Sequence, residues 1–198
     1  MIGASLSLLM LTGTAARSDD TVETIVFIRH GEKPDKGLGQ LNCKGLNRAL
    51  ALPSVIAKLF GRPSVIFAPD PSDRKVDDGE PYDYVRPLAT IEPTAISLGL
   101  PVNASIGVSK MDQLQVALEQ PLNRNGLILV AWEHKLIENI VRMLLNAHGG
   151  DAAIVPKWHG DDFDSIYVVT MNWTGDTAKA TFVHQHEGLD GQPNLCPH

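Results

Sequence analysis

The chain has 198 residues, 43% of them hydrophobic and 20% charged, which is typical of a single globular domain with a sizeable core. Its formal net charge of -6 argues against a broad surface for nucleic acid or for anionic membranes. Binding a small anion requires only a local cluster of cations, so the negative net charge does not exclude a site for a small anion.

The first 20 residues have features of an export signal. An apolar stretch over residues 5–11 precedes small residues at 13–16, although no Lys or Arg occurs before Arg17. The alternative is a disordered or fortuitously apolar terminus. We therefore expect a signal peptide or disordered N-terminus over residues 1–20, a single domain over 21–198, and an exported protein, periplasmic or secreted. No later run is long and apolar enough to span a membrane.

The most informative stretch is TIVFIRHGEK, residues 24–33. Residues 25–28 are β-branched or aromatic and predict a buried strand, which ends abruptly at Arg29, His30 and Gly31. Ligands of open α/β sheets bind at the carboxyl ends of strands. Gly31 permits close backbone approach, Arg29 can bind an oxyanion, and His30 can act as a nucleophile or base near neutral pH. A functional site is predicted here.

The remaining elements alternate between helix and strand. The predicted helices cover residues 42–60 (with Pro53 expected to kink or split the helix), 87–98, 111–118 and 135–147. The other predicted strands cover residues 64–67, 127–132, 165–171 and 179–184. Residues 34–40 and 69–84 are predicted loops, the second rich in Pro, Asp and Gly and long enough to be functional. This order predicts an α/β fold, a three-layer α/β/α sandwich with a mostly parallel central sheet.

Two later positions extend the predicted site. The apolar strand over 127–132 runs directly into Glu133 and His134, and a helix starting there would direct free N–H groups at an anion. Arg86 stands at the start of the helix over 87–98. Together with Arg29 it would form a clamp on a phosphoryl group.

These residues resemble the histidine phosphatase superfamily, in its phosphoglycerate-mutase-like branch. The sequence contains RHG at 29–31, GxxRA at 45–49, RPxxT at 86–90 and a second histidine after a central strand, over residues 25 to about 147. The resemblance implies that His30 attacks phosphorus to form a phosphohistidine. It implies that Arg29, Arg86 and His134 hold the equatorial phosphoryl oxygens, with no cofactor and no metal.

The chain departs from the family pattern at some positions. Lys135 follows the second histidine where the family often has glycine, and Tyr82 stands where a serine commonly precedes the second arginine. The resemblance places a carboxylate proton donor some two dozen residues beyond the second arginine, which is near Asp112. Glu32 and Glu133 are the alternatives, because both flank the predicted pocket.

The resemblance implies a phosphoryl-transfer site. The expected export, and a length that lacks the insertions of larger mutases and acid phosphatases, favour a phosphatase that hydrolyses a small phosphomonoester. The alternatives are a phosphomutase or phosphohistidine protein phosphatase, or a non-catalytic domain that binds a phosphorylated ligand. We expect a small phosphorylated substrate as partner, no nucleic acid and no membrane span in the mature chain. Substrate selectivity is expected in the loops over residues 34–40 and 69–84 and around Asp161.

The two cysteines and two late histidines complete the prediction. Cys43 and Cys196 could form a disulfide in an exported protein, closing almost the whole mature chain, or could remain as two thiols. Neither lies in a CxxC pair that would indicate zinc. His184 and His186 share one face of a predicted strand, but without a third ligand we interpret them as surface residues rather than a metal site.

Overall fold

The structure is a computed structural model that describes residues 20–197. Apart from Asp20, the signal peptide or disordered terminus expected over residues 1–20 lies outside this range. The strands are β1 (Thr21–Arg29), β2 (Val65–Pro69), β3 (Arg74–Asp77), β4 (Glu80–Asp83), β5 (Val102–Ile106), β6 (Leu127–Trp132), β7 (Ser165–Thr174) and β8 (Thr177–His186). The α-helices are α1 (Cys43–Leu59), α2 (Arg86–Leu98), α3 (Met111–Leu118) and α4 (His134–Ala147), with 3-10 turns at Pro121–Asn123 and Ala152–Ile154.

The central sheet has the order β5-β2-β6-β1-β7-β8 within residues 20–197. Strands β5, β2, β6 and β1 run parallel, whereas β7 and β8 form an antiparallel pair on one side. This confirms the prediction of a mostly parallel sheet. Because β1 and β6 are parallel neighbours, with Arg29 opposite Trp132, their carboxyl ends lie side by side at one edge.

The core lies on both faces of the sheet, as a three-layer sandwich requires. Ile25 and Phe27 of β1 belong to a cluster with residues of α3 and α4, whereas Val26 and Ile28 belong to a second cluster with residues of α1 and α2. All four side chains are buried. Burial on both faces explains why β1 is an unbroken apolar run rather than an alternating one. The predicted three-layer architecture is confirmed.

The prediction of a loop over residues 69–84 is wrong in part. Strands β3 and β4 pair as an antiparallel hairpin there, with Asp77 opposite Glu80. The connecting residues Asp78 and Gly79 have φ angles of 51° and 85°, the positive values that a type I′ turn needs. The strands have four residues each and are mostly exposed, so apolar alternation does not reveal them.

Two other elements differ from prediction. Strand β5 was not predicted, although its five residues alternate between half-buried and exposed positions, as in a half-buried edge strand. Pro53 lies inside α1, which continues unsplit from Cys43 to Leu59 and has Asn42 as its N-cap. Among the helices that the structure describes, none combines the length and the apolar character needed to cross a membrane.

A buried arginine connects the end of β1, helix α1 and the C-terminal segment. The Nε and Nη2 groups of Arg48 donate to the carboxylate of Glu32 at 3.0 and 2.9 Å. Its Nη1 donates to Glu187 at 2.7 Å and to Asp164 at 3.3 Å, and Nη2 donates to Asp190 at 3.1 Å. Since the Arg48 side chain is fully buried, these carboxylates supply the hydrogen bonds that water otherwise would.

The C-terminal segment is also bound covalently to α1. Cys43 and Cys196 form a disulfide, with their Cα atoms 4.5 Å apart. The side-chain amide of Asn47 donates to the main-chain oxygens of Pro193 and Leu195 at 2.9 and 2.7 Å. The structure therefore contains the first of the two arrangements considered for the cysteines.

Removing the Arg48 side chain should strongly destabilise the protein. In Arg48→Ala, the buried side chains of Glu32, Asp164 and Glu187 lose their shared cation, so we expect a loss of about 3–5 kcal/mol in the free energy of unfolding. Urea denaturation measures this loss. Lys58→Ala, at an exposed position in the last turn of the same helix, should change stability by less than about 0.5 kcal/mol. Similar values for both variants would contradict the role given to Arg48.

The disulfide should stabilise the chain because it joins residues 153 positions apart. Replacing Cys43 and Cys196 together by serine is expected to lower the free energy of unfolding by about 2–4 kcal/mol. A reductant should destabilise the unmodified protein and leave the double variant unaffected. Two alkylatable thiols found by mass spectrometry of the native, non-reduced protein would refute the disulfide.

Candidate active site

The four residues proposed for catalysis lie at the carboxyl edge of the sheet. The His30 N–H donates to the Trp132 oxygen at 3.1 Å, which continues the ladder between β1 and β6 to the point where both strands end. His30, Arg29, Arg86 and His134 are between 2% and 8% exposed. The structure thus gathers at this edge cations and imidazoles that come from three separate parts of the sequence.

Two aromatic rings lie close both to His30 and to one of the two arginines. The Tyr84 ring lies 6.0 Å from the His30 ring and 4.8 Å from Cζ of Arg86. The Phe163 ring lies 6.2 Å from His30 and 3.8 Å from Cζ of Arg29, where it makes a cation–π contact. Each arginine therefore shares an aromatic neighbour with the imidazole.

The imidazole of His30 has the tautomer that a nucleophile at Nε2 needs. Nδ1 lies 2.8 Å from the main-chain oxygen of Gly31, and because a carbonyl only accepts, Nδ1 carries the proton. Burial lowers the pKa of His30 well below its ordinary value of 6.5, and the charges of Arg86 and Arg29 lower it further. At neutral pH the ring is uncharged, and the lone pair on Nε2 is free of the proton.

Three sequence motifs interlock behind His30. The Gly31 N–H donates to the Thr90 hydroxyl oxygen at 2.9 Å, and that hydroxyl donates to the Arg86 main-chain oxygen at 2.8 Å. A Cβ atom on Gly31 would lie 2.9 Å from the Gly45 oxygen, so only glycine permits this approach of β1 to α1. The motifs RHG, GxxRA and RPxxT thus fix the turn after β1 against two helices.

Both arginines are held through Nη1. Nη1 of Arg29 donates to main-chain oxygens within residues 159–162, at 2.6 Å for the shortest contact. Nη1 of Arg86 donates to the Asp77 carboxylate and, at 3.4 Å, to the Gly37 oxygen. The Nε groups of both have no hydrogen-bond partner among the described residues. Nη1 of each guanidinium is therefore occupied by the protein, whereas Nε is left as a buried donor without a partner within residues 20–197.

Further buried polar atoms in the same cluster lack a partner. Within residues 20–197 these include the Tyr84 hydroxyl and Nδ1 of His134, besides the two arginine Nε groups. Burial raises the pKa of Tyr84, which keeps its hydroxyl protonated, and burial lowers the pKa of Arg29 only to about 10. An unsatisfied buried polar group costs about 1–3 kcal/mol, so such a concentration is typical of a ligand site.

The second histidine is held at the start of α4. Glu133 caps this helix, because its Oε2 accepts from the Leu136 N–H at 3.0 Å. Its Oε1 lies 2.8 Å from Nδ1 of His134, an electrostatic contact whose angles fall outside those of a hydrogen bond. Burial alone would raise the pKa of Glu133, but contact with His134 and the charge of Lys75 lower it to about 2.

The three carboxylates considered as proton donors differ in their pKa shifts and in their contacts. Glu133 stays ionised because of its low pKa. Burial tends to raise the pKa of Glu32, but the hydrogen bonds and charge of Arg48 outweigh it and the pKa is lowered. Asp112, in the first turn of α3, is exposed and makes no hydrogen bond or ion pair in the described part of the chain.

Sequence reasoning missed several residues of the site. Asp77 and Tyr84 contact Arg86, Phe163 contacts Arg29, and Lys75 lies near Glu133. The Asp-Gly pair at residues 78–79 is a hairpin signal, and it would have predicted that Lys75 and Asp77 share one face of a strand. Tyr84 and Phe163 have no sequence signal of their own, because their contacts depend on how separate segments pack.

The acidic segment around Asp161, Lys135 and the two histidines of β8 were also noted in the sequence. Asp162 accepts hydrogen bonds from Ser165, which orders the loop that binds Arg29, whereas Lys135 is exposed. The His184 and His186 rings lie 4.7 Å apart on β8. Across residues 20–197, no group of three or more His, Cys, Asp or Glu side chains is arranged to hold a metal ion.

Comparison with known proteins gives structural matches alone. No family model matches the chain, and no curated protein matches its sequence. A candidate phosphohistidine phosphatase, SixA, from Nakamurella multipartitia matches with a TM-score of 0.57 and 14% identity, covering 83% of this chain and 96% of its own.

Two further structures agree with this match. Phosphoglycerate mutase from Plasmodium falciparum has a TM-score of 0.54 and 12% identity over 82% of this chain and 89% of its own. A mycobacterial glucosyl-3-phosphoglycerate phosphatase, solved with inorganic phosphate, has a TM-score of 0.52 and 16% identity over 81% and 95%. The chain has the fold of the histidine phosphatases and phosphoglycerate mutases, as its motifs predicted.

Proposed function

We propose that this protein is a histidine-type phosphatase that hydrolyses a small phosphomonoester through a phosphohistidine on His30. The observation that carries the proposal is the pair of buried guanidiniums, each held by Nη1 and unpartnered at Nε, beside a neutral imidazole. Fixed positive donors around a phosphoryl group stabilise the charge on its equatorial oxygens. Arg29, Arg86 and His134 are the proposed donors.

The proposed reaction takes two displacements. In the first, Nε2 of His30 donates its lone pair to phosphorus, the ester P–O bond breaks, and the leaving oxygen takes a proton. In the second, water attacks phosphorus and gives its proton to the group that protonated the leaving oxygen. The P–N bond breaks, which releases inorganic phosphate and restores the neutral imidazole. We propose Asp112 as the donor to the leaving oxygen, because Glu32 is bound by Arg48 and Glu133 is ionised, with a pKa lowered to about 2.

Hydrolysis is preferred to phosphoryl transfer between metabolites because of the expected compartment. The Cys43–Cys196 disulfide supports an oxidising environment and therefore export, whereas a metabolic mutase would be expected in the cytoplasm. A mutase would need a phosphorylated primer and would release no net phosphate. Mass measurement of the protein recovered from the periplasm or medium of an expressing cell tests export, since a removed leader shortens the chain.

His30→Ala should abolish phosphate release from p-nitrophenyl phosphate, because it removes the imidazole whose Nδ1 proton is held by the Gly31 oxygen and whose Nε2 lone pair attacks phosphorus in the proposed reaction. We expect a fall of at least about 10³-fold in kcat/KM, measured by p-nitrophenolate absorbance. His186→Ala changes an exposed histidine of β8 and should keep its activity. Brief incubation of the unmodified protein with substrate should add one phosphoryl mass that His30→Ala never acquires.

Equal rates for the unmodified protein and His30→Ala would refute the assignment of the nucleophile. A folded protein that binds inorganic phosphate tightly but releases none from any ester would instead favour a phospholigand-binding domain.

The low pKa of His30 has a consequence for stability. Below pH 6.5 the unfolded chain protonates this residue while the folded protein does not, so the unfolded state binds more protons. The contribution of His30 to the free energy of unfolding should therefore decrease as the pH falls below 6.5. We expect the unmodified protein to lose more stability than His30→Gln between pH 7 and pH 5 in urea denaturation. Histidine NMR should show the His30 ring neutral at pH 6, and a midpoint at or above 6.5 would contradict this.

A further inference from the structure

The β3–β4 hairpin presents one face to the active site. Along β3, Arg74 and Val76 are exposed, whereas Lys75 is half-buried and Asp77 is buried. Successive side chains of a strand point to opposite faces, so Lys75 and Asp77 share the inner face. Asp77 contacts Arg86 directly, which shows that this inner face meets the phosphoryl clamp.

The hairpin is held tightly in this position. A Cβ atom on Gly37 would lie 2.3 Å from Cβ of Asp77, and one on Gly39 would lie 2.0 Å from the Asp83 oxygen. Both glycines have positive φ angles, and Lys33 adds an ion pair with Asp77 at 3.3 Å. The loop over residues 34–40 and the hairpin therefore form one packed unit beside Arg86.

Lys75 is the cation on this inner face that lacks a counter-ion. Its Nζ lies 5.0 Å from the centre of the Tyr84 ring, and the centre of the His30 ring lies 6.0 Å from that of Tyr84. It forms no ion pair within the region the structure describes, since Asp77 is bound to Arg86 and Lys33, and Glu133 contacts His134.

Neighbouring charges act on Lys75 in both directions. Burial lowers the pKa of Lys75, while the carboxylate of Glu133 raises it and the charge of Arg86 lowers it. Keeping a cation here half-buried, without an ion pair, is unfavourable unless an anion joins it. A compact ammonium on a flexible stem suits a charged group that varies in shape.

We propose that Lys75 is a specificity-determining residue, and that its ammonium binds a second anionic group of the substrate, a carboxylate or another phosphate. This rests on the proposed phosphatase function and adds the class of substrate: phosphomonoesters that carry a further negative charge close to the phosphoryl group. Arg29, Arg86 and His134 hold the phosphoryl oxygens, and Lys75 selects the rest of the molecule.

The test compares two esters that differ at one carbon. In 3-phosphoglycerate a carboxylate replaces the hydroxymethyl group of glycerol 3-phosphate, so the ratio of their kcat/KM values reports recognition of the second charge. Lys75→Gln should lower this ratio by about tenfold or more. Arg74→Gln, on the outer face of the same strand, should leave it unchanged, and Lys75→Arg should keep it within about threefold of the original.

The outcomes separate the two proposals. If the unmodified protein releases phosphate from neither ester nor from p-nitrophenyl phosphate, the proposed function fails. If it hydrolyses p-nitrophenyl phosphate but not 3-phosphoglycerate, the role of Lys75 is overturned and the phosphatase function stands. If both are hydrolysed and Lys75→Gln leaves the ratio unchanged, or Arg74→Gln lowers it equally, the role of Lys75 is overturned and the phosphatase function stands. Inhibition by inorganic phosphate, which carries no second group, should change less than about threefold in Lys75→Gln, and a larger change would place Lys75 in the phosphoryl site instead.

Discussion

The parallel pairing of β1 with β6 is the constraint on which the site depends. It places Arg29 opposite Trp132 and continues through the hydrogen bond from His30 to the Trp132 oxygen. The chain that leaves β1 and the chain that leaves β6 therefore start from the same edge, one with His30 and the other with His134. A shift of one residue in either strand would turn these side chains to the opposite face.

The buried arginines differ in how their hydrogen bonds are satisfied. Arg48 uses both ends of its guanidinium on four carboxylates, so it is a structural group that leaves little for a ligand. Arg29 and Arg86 are held at Nη1 and unpartnered at Nε. Removing a cation from water costs free energy, so a buried guanidinium with unpaired donors must be held in place by the rest of the fold. This difference distinguishes Arg29 and Arg86, the proposed phosphate-binding arginines, from Arg48, which has a structural role.

The sequence predicted those parts that depend on local pattern. The apolar run of β1 and the polar residues after it identify a buried strand with a site at its end, and the motifs around Arg29, Arg86 and His134 identify the fold. The hairpin over residues 74–83 was missed because its strands bury almost nothing. The proton donor could not be read from spacing, because the protonation of Glu32 and Glu133 depends on Arg48 and His134, which only the folded chain brings beside them.

In the proposed function, the β3–β4 hairpin would connect phosphoryl binding with the choice of substrate, because two neighbouring positions of one strand face the site. Lys75 and Asp77 are two residues apart, so their Cα atoms are separated by roughly 7 Å on one face of β3. Asp77 accepts a hydrogen bond from Nη1 of Arg86, so this contact fixes where the β3 backbone that carries Lys75 lies relative to Arg86. A substitution that moves the hairpin would therefore displace the second cation and loosen Arg86 together. To separate the positioning of Arg86 from the proposed binding of a second anion, a substitution must change a side chain of β3 and keep its pairing with β4. The exposed Arg74 and the half-buried Lys75 are adjacent on this strand, so substitutions at these two positions can be compared directly.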